Sequence, residues 1–447
     1  MRVLLVATYE LGHQPGNLAG PAARLRSRGH EVRVLDTTVD AWDRELVAWA
    51  DRVAFSVPMH TATRLARELA STVEKPVCCY GLYAAMCADV SDAVVAGEYE
   101  DALVAWVDGA PAPTTPQLGP PRPRPVPVAP ARDLLPTLDR YVRLAVDGEL
   151  RLVGSVEASR GCAHRCRHCP VPVVYDGRVR VADEGSVLAD VEQLVAAGAQ
   201  HVTFGDPDFL NAPRHSMRVV RGVHERFPTL TFDCTVKVEH ILAHADLLAE
   251  LRDAGCLFMV SAFECMDDRI LDLLDKGHSA ADAARAVALL RAHDIDVRPS
   301  FLPFTPWTTR ADVAAILDFV AEHELVHSVD PVQYTIRLLL PTGSLLLGLP
   351  ELGPHLGAWD GERLSWDWRA ADPAMDELQA SLAAVVESSV GRQDAVDRTY
   401  GLVREAAGLD PVTVGPGDRE RAHLTETWFC CAEPTDTQFT NLKVVIT

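Results

Sequence analysis

The chain has 447 residues, 48% of them apolar, and a formal net charge of −21. That length suggests two or three domains with sizeable cores, and the acidic balance argues against a nucleic-acid partner, because phosphate contacts need a basic surface. No apolar run reaches the ~20 residues that span a bilayer, and the opening "MRVLLVATYE" reads as a first strand rather than a signal peptide. A cytoplasmic protein with no membrane partner is therefore expected.

Residues 1–107 alternate strand and helix signals. "RVLLVA", "HEVRVLD", "RVAFSVP", "KPVCCYG" and "DAVVAG" are short apolar runs separated by helical stretches such as "LAGPAARLRSRG". The pattern predicts an open parallel α/β sheet. Residues 108–140 form a proline-rich linker, since proline lacks an amide donor and favours extended chain. From 141 to 345 the alternation resumes, with strands expected at "GSVEAS", "HVTFGDPD", "LTFDCTVK", "LFMVSAFE", "VRPSFLPF" and "PVQYTIRLLL". Six such units suit a partial barrel, whose chemistry sits at the carboxyl ends of the strands. Residues 346–447 are mixed, with helices near "AMDELQASLAAVVESSV" and "AVDRTYGLVREAAG" before a distinct tail. The fold class expected is α/β: a Rossmann-like parallel sheet, a partial (β/α)6 TIM-type barrel and a mainly helical C-terminal region.

Eleven cysteines in such a chain are more readily metal-binding, catalytic or buried than bridged. Isolated ones, and the pair Cys78-Cys79 inside an apolar strand, read as small buried residues. Three others crowd "SRGCAHRCRHCP": Cys162, Cys166 and Cys169, spaced C-x3-C-x2-C. A structural zinc site wants four ligands, and here the fourth would have to be His164, His168 or a distant residue. Iron–sulfur cubanes are also held by closely spaced thiolates, and three of them leave one iron open.

This loop resembles that of radical S-adenosylmethionine enzymes. The resemblance implies a 4Fe–4S cluster on Cys162, Cys166 and Cys169. It also implies S-adenosylmethionine on the open iron, reduced to a 5′-deoxyadenosyl radical, and a flavodoxin- or ferredoxin-type electron donor. The residue before the last cysteine, usually an aromatic that packs on adenine, is His168. "TFGDPDF" is similar to the segment that binds the methionyl amino group, which implicates Gly205, Asp206 and Asp208. "SAFE" ends on Glu264, where related enzymes place a ribose-contacting carboxylate. "DKGHS" also resembles a phrase of that family, although a C-cap on Gly277 followed by a serine N-cap explains it. "TVKVEH" reads as a strand with Lys237 and Glu239 on one face, directed into the barrel. Charges there need each other or a substrate. "PFTPWTT" is a loop after the fifth strand, and Arg337 on the sixth could clamp an anion.

The tail "ETWFCCAEPTD" places Cys430 and Cys431 side by side, followed by Glu433. Adjacent Cα atoms lie ~3.8 Å apart, too close for a relaxed disulfide. Such thiols can redox-cycle or bind a soft, thiophilic centre. Behind this barrel, "CCAEP" resembles the CUAEP/CCAEP-tail radical SAM proteins, in which the second position varies between selenocysteine and cysteine. The resemblance implies that Cys431 does chemistry. The N-terminal sheet is similar to the cobalamin-binding domain that precedes many such barrels. The D-x-H-x-x-G ligand motif is absent; His13 and His60 both follow strands, where a cofactor would lie, and read either as polar loop residues or as groups that could approach the cobalt of a bound cobalamin. The expected activity is radical chemistry on a small-molecule substrate. Its sharpest form is a carbon bond to arsenic or selenium with the tail thiols taking part. Competing readings are cobalamin-dependent methyl transfer or carbon-skeleton chemistry, and a non-catalytic iron–sulfur protein.

Overall fold

The strand β1 (Arg2–Ala7) is buried along nearly its whole length because it is central. Val3, Leu5 and Ala7 face one core, and Leu4 and Val6 face the other. A parallel strand covered on both faces needs such a continuous apolar run. In this computed structural model, which describes residues 1–111, 128–389, 395–415, 420–426 and 439, β1 is joined by β2 (Glu31–Asp36), β3 (Arg52–Ser56), β4 (Val77–Tyr80) and β5 (Ala93–Val95). The sheet is fully parallel, in the order β2-β1-β3-β4-β5. Helices α1 (Gly16–Ser27), α2 (Arg44–Trp49), α3 (His60–Ala70) and α4 (Glu100–Val107) complete the layers. The order in which strands are added reverses between β1 and β3, which defines a crevice at their carboxyl ends.

The second sheet opens with a hairpin, β6 (Arg143–Val146) and β7 (Glu149–Val156). A small antiparallel pair follows, β8 (Ser159–Gly161) and β9 (Val179–Val181), with α5 (Val171–Tyr175) between its strands. Four more parallel strands then stack on β7: β10 (His201–Phe204), β11 (Thr231–Thr235), β12 (Cys256–Glu264) and β13 (Asp296–Phe301). Helices α6 (Glu184–Ala196), α7 (Pro213–Arg226), α8 (Val238–Ala243), α9 (Leu248–Asp253), α10 (Asp268–Leu274), α11 (Ala280–Ala292) and α12 (Arg310–Glu322) intervene. Capping boxes at Ser279/Asp282 and Thr309/Asp312 start α11 and α12. The sixth strand is reduced to one parallel bridge, Phe304 with Arg337. Pro331, which has no amide to donate, starts a 3-10 turn where that strand was expected to begin.

The C-terminal region adds a hairpin, β14 (Leu356–Asp360) and β15 (Ser365–Trp368), then α13 (Ala374–Ser389) and α14 (Ala395–Ala406). Its last described strand, β16 (His423–Leu424), returns to pair antiparallel with β6 at the sheet edge. Among the described residues, no helix is long and apolar enough to cross a membrane.

Candidate active site at the three-cysteine loop

The loop from Cys162 to Arg178 leaves the carboxyl end of β7 and is closed at its base by the β8–β9 pair. Gly161 makes the entry possible: its φ is +77°, and a Cβ there would lie 2.1 Å from the Arg178 carbonyl oxygen. Cys162 and Cys166 are buried and Cys169 is partly exposed; the nine described cysteines are all free. The isolated ones, Cys78, Cys79, Cys87, Cys234, Cys256 and Cys265, are all buried. The loop is fastened to α10, because the Arg167 amide donates to Leu274 O at 2.8 Å and its guanidinium donates to Asp272 O and Leu273 O at 2.9 Å. Asn211 Oδ1 accepts from the Ala163 amide at 3.1 Å and lies 3.7 Å from Cys162 Sγ.

Beside the thiols is a buried ionic group that the spacing of residues did not reveal. Lys276 Nζ donates to Glu264 Oε1 at 2.9 Å, and His168 Nε2 lies 3.0 Å from the same oxygen. Burial alone would raise the Glu264 carboxyl, but Lys276 and then His168 more than offset it and hold it well below the carboxylate range. Burial likewise opposes the charge on Lys276, yet Glu264 and the nearby Cys166 and Cys169 keep it protonated above its ordinary range. The Glu264 backbone is left-handed, φ +64°, at an irregularity in the β12–β13 register. Such strain in a non-glycine residue costs roughly 1–3 kcal/mol and concentrates at functional sites.

A second polar wall comes from three separate segments. His164, in the cysteine loop, has Nε2 3.2 Å from His240 Nε2 on α8. His240 Nδ1 lies 2.7 Å from Oδ2 of the fully buried Asp208, and His164 Nδ1 is 3.5 Å from Glu239 Oε2. Burial first, then Lys237 and His240, lowers the pKa of His164. The ligand atoms of His164, Asp208 and His240 all lie within 4.8 Å of one another. Lys237, 8% exposed, has Nζ 3.6 Å from Glu239 Oε2.

Several expectations change. Lys237 and Glu239 are not on a strand: β11 stops at Thr235, Lys237 caps α8, and Glu239 lies in its first turn. They stand at the barrel mouth rather than inside it. Asp206 is tied into the fold, its oxygens accepting from the Ala158 amide at 2.9 Å and Ser159 Oγ at 2.5 Å; burial pushes its carboxyl up to about 7. A Cβ at Gly205 would meet Ser155, Val156 and Glu157 at ordinary contact distances of 3.7–3.8 Å, so no close approach there demands a glycine. Arg337 is committed elsewhere, bonded to Asp376 at 2.5 Å and stacked 3.6 Å over Trp368. The left-handed C-cap of α10 is Asp275, with Gly277 two residues on at φ +74°. His60 is buried with Nε2 3.3 Å from Leu364 O, and His13 is partly buried at the seam between the sheets. Cys430, Cys431 and Glu433 lie outside the described residues.

Residues 156–320, which contain this loop and these walls, match the Radical SAM superfamily. The chain carries a radical SAM domain. A curated relative, the ribosomal protein uS12 methylthiotransferase RimO of Syntrophotalea carbinolica, is 27% identical over 205 residues. That match covers 44% of this chain and 45% of the relative, so this chain spans less than half the relative's length. Among solved structures, the radical S-adenosylmethionine methyltransferase TsrM of Kitasatospora setae, with tryptophan substrate and a SAM analogue bound, is 18% identical. It covers 91% of this chain and 95% of its own at a TM-score of 0.63. The cobalamin-dependent radical enzyme OxsB, with aqua-cobalamin bound, is 13% identical and covers 87% of this chain and 67% of its own at a TM-score of 0.64. At these identities the two structures show a shared fold.

The radical SAM domain implies a 4Fe–4S cluster and S-adenosylmethionine. The donor set fits the cluster: three free thiols from one loop at the carboxyl end of a barrel strand.

Proposed function

We propose that this radical SAM domain reductively cleaves S-adenosylmethionine and directs the resulting 5′-deoxyadenosyl radical to a small-molecule substrate. Three free thiols gathered at the carboxyl end of β7, inside the matched segment, carry the reading. The cluster, when bound, supplies the electron and an open iron site. Cys162, Cys166 and Cys169 hold it. Lys276 offsets their negative charge, and Glu264 orients both Lys276 and His168. Asp208 and His240 form a polar wall suited to an ammonium, while Lys237 suits a carboxylate. Anaerobically reconstituted protein should release 5′-deoxyadenosine with S-adenosylmethionine and dithionite. Cys169→Ala should abolish this; turnover unaffected by that change would refute the reading.

The tail likeness supports a part for Cys430, Cys431 and Glu433 in the second half-reaction. Vicinal thiols suit trivalent arsenic or selenium, so the finer proposal is carbon bond formation to such an element. Incubation with arsenite, S-adenosylmethionine and reductant should yield a carbon–arsenic product that Cys431→Ser loses, and absence of that product from wild type counts against it. The extensive TsrM and OxsB fold likeness favours a second reading, cobalamin-dependent methyl transfer or carbon-skeleton chemistry. Corrinoid absorption from the purified protein would support it.

A further inference from the structure

We propose that the crevice at the switch point of the N-terminal sheet is a seat for this chain's own C-terminal segment, which it holds against the edge that meets the cysteine loop. In doubly wound sheets this crevice is where a ligand binds. Here Tyr9 follows β1, Met59 follows β3, and Ala62 and Leu65 lie on α3; together they bury Phe439, which is 6% exposed. The Arg64 guanidinium carbon stands 3.9 Å from the centre of the Phe439 ring, a cation–π distance. Tyr9 OH donates to Glu426 Oε1 at 2.8 Å. Gly12, φ +70°, leaves the space that Glu426 fills, since a Cβ there would stand 3.0 Å from Glu426 Cβ and Cγ.

The chain's route to this seat is visible. β16 leaves the edge of the second sheet, and Thr425 is pinned there by its amide to Arg143 O at 2.8 Å and its hydroxyl from the Arg143 amide at 3.0 Å. The next residue, Glu426, already lies on the first sheet. The same edge bears on the cysteine loop, because Leu82, just after β4, packs against the cluster formed by Cys162, Val171 and Tyr175. Three residues separate Glu426 from Cys430, a reach of at most ~14 Å. The two anchors, Glu426 and Phe439, flank the thiol pair in sequence.

Hydrogen exchange on the full chain tests the seat, with Phe439→Asp to unseat the segment and Tyr9→Phe to remove one hydroxyl. Phe439→Asp is expected to speed exchange at least tenfold in residues 9–13 and 57–65, with deoxyadenosine formation retained. Tyr9→Phe should give a smaller rise confined to residues 9–13. Unchanged exchange in both variants overturns the proposal. So does wild-type protein that binds one equivalent of hydroxocobalamin and gains protection in those same segments, which would make the crevice a corrinoid seat. If neither wild type nor variant forms deoxyadenosine, the radical reading fails, while the exchange pattern still decides the seat.

Discussion

Lys276 shows how one side chain can serve both fold and site. Its phrase, "DKGHS", was expected to be capping, and the capping is real: Ser279 opens α11 with a capping box. Between the two helices, however, the backbone turns Lys276 inward onto Glu264 and the cysteine loop. Spacing in sequence announces a cap but not the direction of the side chain between two caps. Lys276→Met should leave the buried Glu264 with His168 as its one remaining partner in the group, at a cost of about 3 kcal/mol. Adding Glu264→Gln should recover most of that stability. It should not restore deoxyadenosine formation, since His168 and the thiolates would still lack their charged neighbours. Thermal melts and product assays on the single and double variants check both halves. His164, His240 and Asp208 were harder to read, because they come from three segments that only the folded barrel brings together.

Among the elements, the parallel strands were legible because burial on both faces demands long apolar runs, as in β1 and β12. Short alternating stretches were not. "TVKVEH" fits a strand by period two, yet its second half is the start of α8. Four to six residues cannot separate the two periods. The join between the sheets also gave no signal in the sequence. Arg132 makes it: its guanidinium donates to Asp190 on α6 through two bonds of 2.8 Å, to Ser155 O on β7 at 2.6 Å and to Gln14 Oε1 at 3.0 Å. Both partners of the ion pair are about nine-tenths buried. Arg132→Ala should destabilise the protein by about 3–5 kcal/mol, because it strands a buried carboxylate. Arg132→Met combined with Asp190→Leu should recover most of the loss, read as the midpoint of urea unfolding.

For the whole molecule, burial of neutral histidines sets the response to acid. Burial lowers His13 and His60 to about 4, while a histidine in the unfolded chain protonates near ~6.5. The unfolded state therefore binds more protons between those values. Stability is complete above ~6.5 and falls as pH drops towards 4, by about 3 kcal/mol for each group. The melting temperature should fall across that window, and His60→Gln should make the fall shallower. The N-terminal crevice also has a bearing on synthesis. Its walls, Tyr9 and Met59, leave the ribosome before the whole second sheet, whereas Glu426 and Phe439 follow it. Domains generally fold in the order of their emergence. A nascent N-terminal sheet would thus wait, with an oily notch exposed, until those two residues emerge, which makes products truncated before them prone to aggregate and chaperone-dependent.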